Sequence, residues 1–233
     1  MALRTMKRRT TMISEARFPL FRLRRGFVAL LPAFAMLCGI ALPVRSAEDA
    51  SIAEEPRKLI EETADQIVSI LARVDQPSEI RVREIEEIAY DIFDFTTMSK
   101  LVLARNWRKL DKSKRAEFVR EFKRLLSRTY GTRLDRYNQE KVEVYGTQLE
   151  PRNDVSVKTR IVGGQFDGAE IAYRLRKRKD RWRIIDVVIE GVSLVSNYRS
   201  QFAEVLNGGT IDDLLAKMRD KNFTIDEEKT EAG

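Results

Sequence analysis

The 233-residue chain contains no histidine and a single cysteine, Cys38. Without histidine, Ser–His and Cys–His nucleophilic catalysis, histidine-ligated zinc and a histidine pH switch are all excluded. Cys38 falls in an N-terminal leader, preceded by Met36-Leu37 rather than the small residues of a lipoprotein site. The rest of the chain therefore has no disulfide, and its stability must come from packing. No phosphate-binding glycine loop, serine nucleophile elbow or internal repeat occurs. Asp186 and Glu190 are four apart and could face the same side of a strand as an acid/base pair. In a chain with 34% charged residues such spacings arise by chance, and a capping or salt-bridge role is the simpler reading.

What is present begins with a basic leader. Arg4, Lys7, Arg8, Arg9, Arg17, Arg22, Arg24 and Arg25 precede an apolar run, Phe27 to Leu42, broken by Pro32. Val44-Arg45-Ser46 ends it with a cleavage-like triplet. The pattern is that of a secretory signal over residues 1–46. The run is shorter than the ~20 apolar residues of a spanning helix, which argues against an uncleaved anchor. Arg24-Arg25-Gly26-Phe27-Val28 leaves twin-arginine export open beside the general route. Nine of the 43 basic residues but only one of the 36 acidic ones precede Ala47, leaving 34 and 35 beyond it. The high isoelectric point thus belongs to the leader. A nucleic-acid role argued from net charge fails.

The remaining chain reads as α+β. Residues 47–225 form one expected domain, followed by an acidic segment, 226–233, without an ordering pattern. Ala47 to Glu55 is small and acidic and reads as a loose terminus, with Pro56 placed to start a helix. Leu59, Thr63, Ile67, Ile70, Leu71 and Val74 repeat at helical spacing. Ile80, Ile85, Ile88, Ala89 and Ile92 mark a second helix, and Phe95 to Leu110 a third. A fourth, capped by Asp111-Lys112-Ser113, carries Phe118, Phe122, Leu125, Tyr130, Leu134 and Tyr137. The pattern then alternates: Val142 and Val144; Val155, Val157, Thr159 and Ile161; Ile171, Tyr173 and Leu175; and Trp182–Ile189. That predicts a four-stranded antiparallel meander with one apolar face, which needs a cover of helices. Leu194–Leu206 and Ile211–Met218 supply further helices. Only Glu190-Gly191-Val192-Ser193 separates the last strand from the next helix, and Ser193 is placed to cap it.

Two blocks carry a family resemblance. One is Asp186-Val187-Val188-Ile189-Glu190-Gly191-Val192-Ser193-Leu194-Val195, followed by Asn197-Tyr198-Arg199, Gln201 and Phe202. The other is Phe93-Asp94-Phe95, Met98-Ser99 and Leu103-Ala104-Arg105-Asn106-Trp107-Arg108, then Phe118, Phe122, Leu125-Leu126 and Tyr130. In order and spacing they resemble the MlaC, or toluene-tolerance, family of periplasmic phospholipid-binding components of a lipid ABC transport system. The match spans roughly Phe93 to Asn222. One departure is Ala104, where the family usually carries glycine. Alanine suits a helix better, so little consequence is expected.

The resemblance implies a periplasmic lipid carrier, a monomer without cofactor or covalent chemistry. Its implied partners are a phospholipid, an inner-membrane lipid ABC transporter complex and an outer-membrane lipoprotein complex, with no nucleic acid. It also implies a curved sheet and helices enclosing an acyl-chain cavity. Periodicity alone does not separate such a cavity from a packed core. The expected walls are Val144, Val157, Ile171 and Tyr173 on the sheet and Phe95, Met98, Val102 and Tyr130 on the helices, with Val192 and Tyr198 at the mouth. The one strong local charge cluster is the hairpin from Arg174 to Arg183. Arg174, Arg176, Arg178 and Arg181 are its candidate docking residues for anionic headgroups or an acidic partner, and a solvated outer face is the plainer reading. Trp182 could be an anchor there or core. The rival functions are a carrier of another lipid such as a hopanoid, an organic-solvent binder, a carboxylate enzyme on a similar cone-shaped fold, and an adaptor with a fully packed interior.

Overall fold

Capping chemistry sets most of the helix starts. A computed structural model describes residues 45–134 and 140–220 of the chain. The leader up to residue 44, Tyr137 and the segment 226–233 lie outside the described residues. Asp94 caps α3 (Phe95–Leu103) by accepting from the Thr97 amide at 2.8 Å. Asp111 accepts from the Lys114 amide at 2.8 Å where α5 (Lys112–Leu134) begins. Ser193 caps α6 (Leu194–Gly208) through the Ser196 amide, as its position in the sequence predicts. Thr210 and Asp213 form a reciprocal capping box on α7 (Ile211–Arg219).

Two helices depart from expectation. The first, α1 (Arg45–Leu71), does not wait for Pro56 but runs through it. Pro56 cannot donate to the carbonyl one turn earlier. The helix persists because Ala53 and Ile60, on either side of Pro56, are buried against the sheet. What reads as a loose terminus contributes Ile52 and Ala53 to the sheet's cover. The second helix, α2 (Ser78–Ile92), is as expected. The third is broken: α3 stops at Leu103, and a single turn, α4 (Asn106–Lys109), follows. The break is at Ala104, with φ 49° and ψ −117°. Those angles favour glycine, so the alanine there has a consequence that helix propensity does not foresee.

The sheet has five strands rather than four, in sequential order. They are β1 (Lys141–Glu150), β2 (Asp154–Val162), β3 (Glu170–Arg178), β4 (Arg181–Ile189) and β5 (Val192–Ser193), all paired antiparallel. The fifth is too short to show alternation. It exists because Glu190 and Gly191, both at positive φ, make a two-residue hairpin turn where a plain corner was expected. Lys179 and Asp180 do the same between β3 and β4. Register shifts at Tyr145 and Ile185 flip the alternation once on β1 and once on β4.

The registers align the inner side chains in rows. One runs Leu149–Val155–Leu175–Ile184, the next Thr147–Val157–Tyr173–Val187, and the next Val144–Thr159–Ile171–Ile189–Val192. Ala53 and Ile60 of α1 pack on these rows together with Leu194. A second hydrophobic cluster lies among α3, α5, α6 and α7. Its centre is aromatic: Phe118, Phe122, Tyr198 and Phe202 have ring centroids 5.5–5.9 Å apart. Phe93 and Tyr130 touch both clusters. No helix among the described residues is long and apolar enough to cross a membrane.

Candidate functional site

The inner sheet face is not covered evenly. Val155, Leu175 and Ile184 in the first row are fully buried. In the second, Val157 is buried and Tyr173 is half-buried. In the third, Thr159 on β2 is fully buried, but Val144, Ile171 and Ile189 are half-buried, and Val192 is 51% exposed. Along β3, β4 and β5 the cover therefore thins toward the β4–β5 hairpin, from buried Leu175 and Ile184 to half-buried Ile171 and Ile189 and exposed Val192. A face of this kind offers apolar contact at one end while a packed floor holds the other.

The residues expected to line one cavity are divided between the two clusters. Val144, Val157, Ile171 and Tyr173 belong to the sheet cluster. Met98, Val102 and Tyr198 are fully or almost fully buried in the helical cluster, and Phe95 packs against its outside. Tyr130 is shared, and Val192 stands exposed at the end of its row. Phe95 stacks on Phe93 at 5.7 Å and meets Tyr90 edge-on at 6.0 Å. The Lys123 ammonium lies 3.0 Å from the Tyr90 ring centroid, and burial pushes its pKa down, against the opposing charge of Glu86. Sequence reasoning put Leu59 on a helix without assigning it to the site, and missed its neighbours on the helix side of the sheet cluster, Ile52, Ala53 and Ile60. Their helical spacing continues across Pro56 and is visible once proline is not taken as a start.

Asp186 and Glu190 do not form a pair. Asp186 is buried, with Oδ2 accepting from the Ser193 hydroxyl at 2.7 Å and Oδ1 from the Val195 amide at 3.0 Å. It thereby pins β5 and the first turn of α6 to β4. Glu190 instead accepts from the Glu170 amide at 2.5 Å. Both carboxylates close the corner that ends the apolar rows.

The hairpin arginines each meet a carboxylate. Arg176 makes a two-pronged pair with buried Asp154, Nε to Oδ1 at 2.7 Å and Nη2 to Oδ2 at 2.6 Å. That carboxylate raises the guanidinium pKa further. Arg178 reaches Asp94 at 3.6 Å and donates to the Thr97 hydroxyl at 3.2 Å. Arg181 pairs with Asp91 at 2.9 Å, and Arg174 approaches Asp186 at 3.9 Å. Trp182 packs at the end of the sheet cluster, with Nε1 donating to Glu55 at 2.9 Å. It lines two clefts of about 210 and 490 Å³ between α1 and the hairpin. Of the expected site residues, only Arg176 and Arg181 border them.

Comparison with known proteins gives a consistent relationship. A family profile described as "MlaC protein" matches residues 61–220. The toluene tolerance protein ttg2D of Pseudomonas putida is 23% identical over 197 residues, covering 82% of this chain and 86% of that protein. The intermembrane phospholipid transport system binding protein MlaC of Haemophilus influenzae is 23% identical over 122 residues, covering 51% of this chain and 57% of that protein. Among solved structures, a phospholipid-binding protein from Ralstonia solanacearum, in complex with a phospholipid, superposes with a TM-score of 0.64 at 19% identity. That match covers 71% of this chain and 96% of the other.

Proposed function

The chain belongs to the MlaC family, and from that premise we infer that it is a periplasmic phospholipid carrier. It would pass lipid between an inner-membrane ABC transporter complex and an outer-membrane complex. The observation that carries this reading is the thinning apolar cover of the sheet toward Val192. Acyl chains laid against the half-buried row Val144–Ile171–Ile189 would gain roughly 0.8 kcal/mol for each methylene removed from water. The chains would lie between α1 and the sheet, with the headgroup near the β4–β5 hairpin. Binding of this kind needs no cofactor and no covalent step. Exchange follows from which partner holds the tails better.

Docking to an acidic partner falls best to Arg178 and Arg181, whose side chains are 50% and 60% exposed. Arg176 is committed to Asp154, and Arg174 to the neighbourhood of Asp186.

Native mass spectrometry of the purified protein tests the carrier reading. Wild type should carry a phospholipid mass. Val192→Glu places a charge at the exposed end of the row and should lower lipid content several-fold, with an unchanged circular dichroism spectrum. A protein free of lipid, which also takes up none from added phospholipid, would instead favour the adaptor reading.

A further inference from the structure

A second concentration of positive charge lies far from the hairpin in sequence. Between Lys100 and Arg115 there are seven basic residues and one acidic residue, Asp111. The segment is divided among the end of α3, the single turn α4 and the start of α5. The fold gathers it around Trp107. Lys100 Nζ lies 5.9 Å from that ring and the Arg115 guanidinium 5.4 Å. Arg115 also donates to the Trp107 and Arg108 carbonyls, at 3.1 and 3.4 Å, which fixes α4 against α5. Arg199 of α6 joins the same corner by donating to the Leu101 carbonyl at 2.8 Å.

The two basic regions differ in their partners. On the hairpin, Arg174, Arg176, Lys177, Arg178, Arg181 and Arg183 each lie within 4.0 Å of a carboxylate. At the corner, Lys114 is held by Glu117 and Asp212. Lys100, Arg105, Arg108, Lys109 and Lys112 are all exposed, and none makes an ion pair among the described residues. Beyond the leader the chain is nearly neutral, with 34 basic and 35 acidic residues, so this excess is local. Like charges held together without carboxylates repel one another unless an external anion compensates.

We propose that the α3–α4–α5 corner docks the protein on the surface of an anionic lipid bilayer. A membrane fits better than a protein face for two reasons. None of the exposed large apolar side chains (Val74, Ile80, Tyr145, Leu149 and Val192) is on this segment, and its one Trp, Trp107, is packed against the helical cluster beneath Lys100 and Arg115, so it presents no exposed apolar anchor for a protein hot spot. Five long, exposed cationic side chains also suit a plane of many phosphates, which demands no fixed pairing geometry. The contact is electrostatic, with no insertion into the acyl region.

Vesicle co-sedimentation tests this without measuring cargo, so it stands or falls apart from the carrier reading. Wild type should bind vesicles of equal parts phosphatidylglycerol and phosphatidylcholine at low salt, and should not bind pure phosphatidylcholine. Removing one surface cation weakens such binding about fivefold. Arg105→Gln, Arg108→Gln and Lys109→Gln together should therefore weaken it by roughly a hundredfold. The charge-matched variant Lys58→Gln, Lys158→Gln, Lys217→Gln should leave it nearly unchanged. The charge-preserving pair Arg105→Lys, Arg108→Lys should bind like wild type. Equal losses in both triple variants would mean that net charge alone acts, and would overturn the proposal. So would an unchanged corner variant. Wild type that ignores anionic vesicles would overturn it too, and would point to an acidic protein as the partner of the corner.

Discussion

Ala104 holds φ 49° and ψ −117° because α3 must end there and α4 must turn away. Its amide still donates to the Lys100 carbonyl at 3.0 Å, so the helix is closed in the ordinary way while the next peptide is forced aside. An L-residue in such a conformation carries about 1–3 kcal/mol of strain. Glycine removes that strain but adds about 0.5–1 kcal/mol of unfolded-state entropy. Ala104→Gly should therefore stabilise the protein by about 1 kcal/mol. Urea unfolding checks this: the midpoint should rise with no change in slope. A lower midpoint would mean that the corner relaxes around alanine. The residues quoted for the family resemblance acquire physical roles at this scale. Phe93 and Tyr130 join the two clusters, Asp94 caps α3, Tyr198 is core, and Arg199 ties α6 to α3. Periodicity marks Phe93 and Tyr198 as apolar. It does not say that one sits on a seam and the other at a centre.

At the scale of elements, β2 and β3 are clamped across their outer face by Asp154 and Arg176. Asp154 is almost fully buried, so removing its partner leaves a charge out of water. Arg176→Gln should cost about 2–3 kcal/mol. Arg181→Gln breaks a pair in which both side chains are about 60% exposed, and should cost under about 0.5 kcal/mol. Thermal unfolding of the two variants decides whether the hairpin arginines are equivalent; equal shifts would remove the clamp. In sequence they look alike, because alternation shows which side chains share a face but not which carboxylate reaches it. The same limit hid β5, whose two residues cannot alternate, and the bulges at Tyr145 and Ile185, which depend on the partner strand. Four strands, the cap at Ser193 and the breaks between helices, other than the one at Ala104, were legible because each depends on neighbours in the chain. The start of α1 was not. Its length is decided by burial of Ala53 and Ile60 on a sheet that begins only at Lys141.

For the whole molecule, the division into two clusters predicts a division of labour. Met98 sits at zero exposure among the rings of the helical cluster, whereas Ile189 is half-buried on the thinly covered row of the sheet. Met98→Ala should empty a packed site and cost about 2–4 kcal/mol. Ile189→Ala removes a side chain that water already reaches in part, and should cost about 1 kcal/mol. A ligand at free concentration L that binds only the folded protein stabilises it by RT ln(1 + L/Kd) and so raises its melting temperature, which makes added phospholipid report on the site directly. If the acyl chains lie between α1 and the sheet, Met98→Ala should melt well below wild type yet keep the full lipid-induced rise. Ile189→Ala should melt close to wild type and lose much of that rise. The reverse pattern would place the lipid among α3, α5 and α6, with Val102 and Tyr198 as its walls and the sheet as ordinary core. Sequence spacing cannot choose between these outcomes, because both clusters present apolar residues at the correct period. The thinning of cover from Leu175 through Tyr173 and Ile171 to Val192 favours the sheet.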